Sequence, residues 1–223
     1  PLVNAWGFGF SKKENVNRNL IDSLMQYVGF KMVRLEGNKI IKDRPEIKLD
    51  FNAIAQGYTV DVLAAFLESK GIKNYLVEIG GELKAKGDKV DMGWKVGIDR
   101  PEENDSGERK LGAIIYLIDR AMATSGNYRK FYEEDGQKFS HIIDPRTGYP
   151  AKQNLLSATV VAKDGITADA YATAFMIMGL EKSKQFLANN KYLELEVFFI
   201  YDENGNWNTY ASQSLKDLIE KVN

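Results

Sequence analysis

Cysteine is absent from this sequence of 223 residues, and histidine occurs only once. Without thiols the chain has no disulfide, no thiolate metal site and no cysteine nucleophile. No apolar stretch approaches the roughly 20 residues that a membrane-spanning helix needs. Neither sign of charge is in excess, since 30 basic residues stand against 31 acidic ones. A nucleic-acid-binding protein needs a basic surface to neutralise phosphates, so this balance argues against nucleic acid as a partner.

The sequence also lacks a signal peptide, internal repeats and any linker rich in proline, glycine or serine. It opens on Pro1 rather than methionine, so we expect that an upstream segment was removed together with any targeting signal. The composition, with 44% hydrophobic and 27% charged residues, is typical of a globular protein. We therefore expect a single domain over residues 1–223.

Apolar periodicity predicts helices and strands in uneven groups rather than in strict alternation. This arrangement favours an α+β domain whose sheet is largely antiparallel and flanked by helices. Glycine-containing turn signals occur at residues 80–81, 135–136 and 204–205. The predicted helices cover residues 16–28, 53–70, 166–178, 182–189 and 214–222. The predicted strands cover residues 74–79, 94–98, 111–118, 155–162 and 195–201.

The first segment that could carry chemistry contains Asp169 and Thr173. On the predicted helix these residues are four apart, so their side-chain oxygens face the same way. A carboxylate and a hydroxyl suit Mg²⁺, which takes one or two carboxylates and leaves its other positions to water and phosphate. The alternative is an acidic residue near a helix N-terminus, favoured by the helix dipole, with a threonine packed nearby.

The second segment is residues 140–150, where a strand end delivers the only histidine, His141, into a loop braced by prolines and a glycine. His141 could act as a general base near neutral pH, and Asp144 could orient it or help to hold a metal. The alternative is a structural histidine beside a turn-forming Asp-Pro pair.

The third segment runs from Asp50 to Tyr58, where a strand ends and a helix begins. Free N–H groups at such a helix start suit a phosphate. Gly57 lies inside the helical pattern at a cost of about 1 kcal/mol relative to alanine, which suggests a close backbone approach. A plain helix start with an indifferent glycine is equally consistent. Near the N-terminus, residues 5–10 could stack a flat ring or form a strand that packs its aromatic side chains.

Taken in order, five stretches of the chain closely resemble the FAD:protein FMN transferase family, formerly described as thiamine-biosynthesis lipoproteins. The resemblance covers nearly the whole chain, and the SHIIDPRTGYP and TADAYATA elements are its most specific parts. The stretches are PLVNAWGFGF (1–10), DFNAIAQGYTVD (50–61), NYLVEIGGELKAKG (74–87), ATSGNYRKFYEEDGQKFSHIIDPRTGYP (123–150) and TADAYATAFMIMG (167–179).

The resemblance implies an activity, a cofactor and a set of site residues. It implies transfer of the FMN half of FAD to a Ser or Thr hydroxyl of an acceptor redox protein, with release of AMP. Mg²⁺ would be held by Asp169, Thr173 and the carbonyl of Ala53, and His141 would activate the incoming hydroxyl. The positions that it matches to FAD contacts are Ala5, Trp6, Gly7, Asp50, Gln56, His141 and Ile143.

The resemblance also implies a periplasmic location at the outer face of the cytoplasmic membrane, through an anchor that this chain lacks. Two positions depart from the usual family pattern: Gln56 stands where lysine is common, and Ala53 where glycine is common. The family's N-terminal region is missing, so the chain corresponds to about the C-terminal two-thirds of the usual protein. Two other functions fit the same residues: a Mg²⁺-dependent FAD pyrophosphatase and a flavin-binding fragment without activity.

Overall fold

The computed structural model describes residues 1–9, 14–89, 92–100, 111–126, 131–134, 137–140, 142–216 and 219–220. The chain divides into two compact units. The smaller unit comprises Pro1–Asp50 and Lys130–Lys152, and the larger comprises Phe51–Arg129 and Gln153–Asn223. The assignment of a single domain over residues 1–223 stays a prediction.

The smaller unit contains short elements around a small apolar cluster. Leu2, Trp6 and Ile21 are buried at its centre. Asn17 caps the second helix, because its side chain accepts a hydrogen bond from the N–H of Leu20. The elements are helices α1 (Leu2–Ala5) and α2 (Arg18–Met25), a 3₁₀ turn (Phe30–Met32), and the antiparallel strand pairs β1 (Val33–Glu36) with β2 (Lys39–Lys42) and β8 (Phe131–Glu134) with β9 (Gln137–Ser140).

The larger unit is built on two antiparallel sheets. In the six-stranded sheet the order is β12-β11-β10-β7-β4-β3, and in the three-stranded sheet it is β13-β6-β5. The strands of the first are β3 (Tyr75–Ile79), β4 (Glu82–Lys86), β7 (Ala121–Gly126), β10 (Leu155–Ala162), β11 (Glu196–Glu203) and β12 (Asn206–Ala211). Those of the second are β5 (Trp94–Asp99), β6 (Leu111–Leu117) and β13 (Ile219–Glu220).

Apolar side chains from both sheets form one core. Leu83, Met122 and Phe198 come from the six-stranded sheet, and Ile98 and Ile115 come from the three-stranded sheet. These side chains are almost completely buried. Their alternation along each strand directs every second residue into this core, as expected for strands with one buried face.

Helices α3 (Ala55–Ser69), α4 (Gly165–Met178) and α5 (Leu180–Asn189) complete the larger unit, with a short helix α6 (Gln213–Lys216) and a 3₁₀ turn (Lys191–Leu193). Helix α4 packs on β7 and β10, and α3 packs on β3, β4 and α4. An aromatic contact joins α4 to the sheet, where the rings of Phe175 and Phe199 meet edge to face at 5.5 Å. None of the described helices is long and apolar enough to cross a membrane.

The architecture confirms the predicted α+β class with antiparallel sheets and flanking helices. The predicted strand at residues 155–162 matches β10 residue for residue. Gly71 ends α3 as predicted, with a φ of 78° that glycine adopts without strain. The predicted turns at residues 80–81 and 204–205 lie between paired strands, whereas the one at 135–136 lies outside the described residues.

Two local predictions are wrong. The closing helix predicted at residues 214–222 ends at Lys216, and Ile219 instead pairs with Ile115 because its side chain packs against the core between the sheets. The segment that ends at Asp50 is irregular rather than a strand. The strand that was one alternative for residues 5–10 is not formed over residues 5–9, where Ala5 ends helix α1 and turns follow.

Candidate active site

Helix α4 carries the two residues for which a metal was predicted. Asp169 and Thr173 lie one turn apart on α4, as their spacing predicts. Two acidic side chains cap the N-terminus of this helix. Asp164 accepts a hydrogen bond from the N–H of Thr167 at 2.9 Å. Asp61 accepts from the N–H groups of Gly165 and Ile166 at 2.8 and 2.9 Å. These bonds fix the residue at which α4 begins, and therefore the position of Asp169 in its first turns.

Asp169 is buried and held by a backbone donor. Only 5% of the residue is exposed, and its Oδ2 accepts a hydrogen bond of 3.0 Å from the N–H of Gly57. Burial raises the pKa of Asp169, while the bond from Gly57 partly opposes that rise. One turn along, the hydroxyls of Thr173 and Ser125 lie 3.0 Å apart, so β7 positions the second ligand candidate.

The bond between Gly57 and Asp169 depends on an unusually close approach of α3 to α4. A Cβ atom on Gly57 would lie 2.2 Å from the carbonyl oxygen of Gly165 and 2.7 Å from the Cβ of Asp169. A Cβ on Gly165 would in turn lie 2.4 Å from the carbonyl oxygen of Gly57. Glycine at both positions therefore lets the two backbones meet, which accounts for the glycine inside the helical pattern.

The start of α3 differs from the prediction of free N–H donors. Ile54 and Ala55 both donate to the carbonyl of Phe51, and Gly57 donates to Asp169. A regular helical bond from Gly57 would instead reach the carbonyl of Ala53, four residues earlier. Within the described part of the chain, no group donates to that carbonyl. The N–H groups are thus largely engaged, while a carbonyl oxygen is left available.

These donors fit Mg²⁺ by their chemistry. A carboxylate at Asp169, a hydroxyl at Thr173 and a carbonyl at Ala53 are all hard oxygen ligands, and so small a protein share suits Mg²⁺, which retains waters or binds substrate phosphates. Among the described residues, no group of three or more acidic or histidine side chains is arranged as a metal cluster. The arrangement therefore fits a site completed by a phosphate-bearing substrate rather than a cage made by protein alone.

Two further polar groups lie beside these residues. Both groups lie close to Gly80. A Cβ atom added to Gly80 would lie 1.9 Å from Nε2 of Gln56 and 3.5 Å from Oε2 of Glu82. Only 7% of Glu82 is exposed. Burial raises the pKa of Glu82 to about 7, and the charge of Asp169 adds to the rise.

In the smaller unit, the predicted flavin-side residues have structural contacts. Ala5 and Trp6 are buried, and the indole N–H of Trp6 donates to the carbonyl of Gly148 at 2.8 Å. The ring of Trp6 also meets that of Tyr149 edge to face, with centroids 5.7 Å apart. Gly7 is exposed, with a φ of 78°. These contacts join the N-terminal segment to the loop that follows His141.

That loop is braced by an ion pair. The guanidinium of Arg146 donates to both carboxylate oxygens of Asp144, at distances of 2.6 to 3.1 Å, and the backbone N–H of Arg146 adds a bond of 2.9 Å. Ile143, just before Asp144, forms an isolated β-bridge with Pro150. The catalytic candidate His141 lies outside the described residues. Asp50 is exposed at the end of the unit's first segment.

A family model described as the ApbE family matches residues 1–199. The chain belongs to the ApbE family. The curated FAD:protein FMN transferase of Vibrio cholerae is 39% identical to this chain, and the alignment covers 99% of this chain. The curated FAD:protein FMN transferase of Haemophilus influenzae is 36% identical, again over 99% of this chain. A solved structure of the flavin transferase ApbE from Vibrio cholerae superposes with a TM-score of 0.85, at 38% identity over 98% of this chain and 68% of the solved one.

Membership of the ApbE family confirms the resemblance on which the sequence-based assignment rests. The chain spans 65% and 64% of the length of these two curated relatives, so their activity is carried over to it only as a proposal. The individual site assignments stay predictions. Sequence reasoning missed two groups at the site, Ser125 and Glu82. No local pattern distinguishes either residue, because Glu82 stands in a mixed segment with Lys84 and Lys86 close by.

Proposed function

We propose that this chain carries the catalytic residues for transfer of the FMN half of FAD to a Ser or Thr hydroxyl of an acceptor protein, dependent on Mg²⁺. The observation that carries the proposal is the pair Asp169 and Thr173, fixed one turn apart by Gly57 and Ser125 beside the available carbonyl of Ala53. Membership of the ApbE family supports it, because its curated relatives are named FAD:protein FMN transferase.

In the proposed reaction, the acceptor's hydroxyl oxygen attacks the phosphorus on the FMN side of the pyrophosphate. The bond from that phosphorus to the bridging oxygen breaks, AMP leaves with that oxygen, and FMN remains on the acceptor as a phosphoester. A bound Mg²⁺ would neutralise the charge on the phosphates as the bond breaks. Asp169, Thr173 and the Ala53 carbonyl would hold the ion, and their positions would help to align the pyrophosphate.

We assign the proton of the attacking hydroxyl to His141, because histidine is the side chain most often used as a general base near neutral pH. A positioned general base contributes roughly 10²–10⁴-fold to the rate. Asp144 is engaged by Arg146, so its proposed part is to hold the loop after His141 rather than to take a proton. Trp6 supports the same loop through Gly148.

The test is AMP release from FAD with and without Mg²⁺, in the presence of an acceptor domain that carries a Ser or Thr flavinylation site. We expect AMP release that depends on Mg²⁺ and flavin bound covalently to the acceptor. One molecule of AMP should be released for each flavin attached. An acceptor with alanine at the modified position is the matched control, and it should remain unlabelled. AMP with only free FMN would assign the pyrophosphatase instead. FAD binding without any AMP would assign a binding fragment.

We also propose, from the family resemblance alone, that the natural protein acts at the outer face of the cytoplasmic membrane on a membrane redox subunit. Separating periplasmic, membrane and cytoplasmic fractions of cells that express the natural gene, and locating the protein by antibody, tests this placement. Recovery in the cytoplasmic fraction would contradict it.

A further inference from the structure

Glu82 has a buried oxygen that nothing in its surroundings explains. It is the first residue of β4, directly after the turn formed by Gly80 and Gly81. The residue is 93% buried, and its Oε2 atom is shielded from solvent and has no hydrogen-bond partner in the part of the chain that the structure describes. A buried polar atom without a partner costs about 1–3 kcal/mol, and more when the group is charged. Such an atom therefore calls for a functional explanation.

Protonation would remove the charge of Glu82 but would turn Oε2 into an O–H donor, which then needs an acceptor of its own. Gln56 is the neighbouring polar side chain, since its amide packs against Gly80, but an amide carries no charge that could balance a carboxylate. A second buried carboxylate, that of Asp169, acts on Glu82 by repulsion. Two backbone N–H groups act on these two carboxylates: that of Gly57 bonds to Asp169, and that of Glu82 bonds to its own carboxylate, while Oε2 of Glu82 has no donor among the described residues.

We propose that Glu82 is an additional side-chain ligand of the divalent cation held by Asp169 and Thr173, with Oε2 as its coordinating atom. The inference rests on the proposed metal dependence and extends it to a residue that the family resemblance did not assign. A cation removes the repulsion between the two carboxylates and satisfies Oε2 in one step. Two carboxylates, one hydroxyl and one carbonyl still leave positions of an octahedral Mg²⁺ for substrate phosphate.

The Gly80-Gly81 turn explains how Glu82, at the start of β4, can lie near the proposed cation site. Gly80 has a φ of 67° and Gly81 a φ of 113°, which side-chain-bearing residues rarely adopt. A Cβ on Gly80 would collide with the amide of Gln56. The turn thus allows the start of α3 and the start of β4 to meet, and it brings Glu82 towards the residues that approach Asp169.

The experiment measures binding of Mn²⁺, a paramagnetic substitute for Mg²⁺, to the protein without any flavin. Free Mn²⁺ is counted by electron paramagnetic resonance for the wild type, Glu82→Gln, Glu78→Gln and Asp169→Asn. Glu78 is the matched control, because it lies on the same hairpin but is exposed. Glu82→Gln conserves size and removes a buried charge, so we expect it to fold.

We expect Glu82→Gln to weaken Mn²⁺ binding by about tenfold or more, as changes around metal sites usually do, and Glu78→Gln to leave it within twofold of the wild type. Wild-type affinity in Glu82→Gln would overturn the inference, and so would a wild type that binds no Mn²⁺. This test is independent of the proposed transfer reaction. A chain that releases no AMP can still bind Mn²⁺ through Asp169 and Glu82, so the two proposals can fail separately.

Discussion

Replacing Gly57 by alanine should lower the free energy of unfolding and weaken metal binding at the proposed site. The new Cβ would lie 2.2 Å from the carbonyl oxygen of Gly165, whereas ordinary contacts begin at 3.4 Å. The obstacle is backbone, which cannot turn aside as a flexible side chain can. Helices α3 and α4 must therefore separate by about 1 Å or more, and the bond from Gly57 to Asp169 must lengthen or break.

The expected magnitude follows from three effects. Forcing an extra methyl group into a packed site costs about 1–3 kcal/mol. Loss of a hydrogen bond to a charged group costs about 1.5–3 kcal/mol. Alanine returns about 1 kcal/mol through its higher helix propensity. We therefore expect the free energy of unfolding to fall by about 1.5–5 kcal/mol, and Mn²⁺ binding to weaken because Asp169 loses its backbone donor.

The assay is urea unfolding in EDTA, followed by Mn²⁺ titration of the folded variant. Gly112→Ala is the matched control: the same change in β6 would place a Cβ 3.6 Å from its nearest neighbour, and we expect it to change stability by less than about 1 kcal/mol. If Gly57→Ala proved more stable than the wild type by about 1 kcal/mol, with unchanged Mn²⁺ affinity, propensity would outweigh packing there and the close helix contact would be refuted.

Four further results are expected. Asp169→Ala should abolish AMP release while retaining the fold by circular dichroism; wild-type AMP release would remove the metal assignment. His141→Ala should slow transfer more than it weakens FAD binding, as single-turnover and equilibrium measurements can separate; the reverse pattern would make it a binding residue. Ser125→Ala should weaken Mn²⁺ binding less than Thr173→Ala, because Ser125 only orients the Thr173 hydroxyl; equal losses would make both serve as ligands. In EDTA, the free energy of unfolding should fall as the pH rises from 4.5 to about 7, because the raised pKa of Glu82 makes the folded state bind more protons than the unfolded one. At about 1.4 kcal/mol for each pH unit this contribution reaches about 3 kcal/mol, and urea unfolding of Glu82→Gln should lack it.

The sequence predicted most of the elements whose local pattern and packing agree. Strand β10 is a nearly continuous apolar run, interrupted by Ser157 and Thr159 and buried on both faces, so its local pattern identified it. Helix α3 has a clear glycine stop at Gly71. The pattern failed at residues 214–222, where helical spacing of apolar residues competes with pairing of Ile219 against β6. It also missed β4 and β7, whose short mixed sequences become strands through their neighbours in the sheet.

The site was predictable where its residues are close in sequence. Asp169 and Thr173 are four residues apart, so helical geometry alone brings them together. The partners that fix them are distant in sequence. Gly57 and Ser125 reach α4 only through packing of α3 and through the order of strands in the sheet. Local patterns do not encode such contacts, which is also why a helix start predicted to bind phosphate instead supplies a donor to a carboxylate.

The contact between Gly57 and Asp169 also has a consequence for the order of folding. The two residues are 112 positions apart, so the closure of a long loop must precede the formation of the proposed metal site. An ion bound there stabilises only states in which α3 and α4 have already docked. If that docking comes late, Mg²⁺ slows unfolding and leaves the rate of folding almost unchanged. The metal would then extend the lifetime of the finished protein without guiding its assembly.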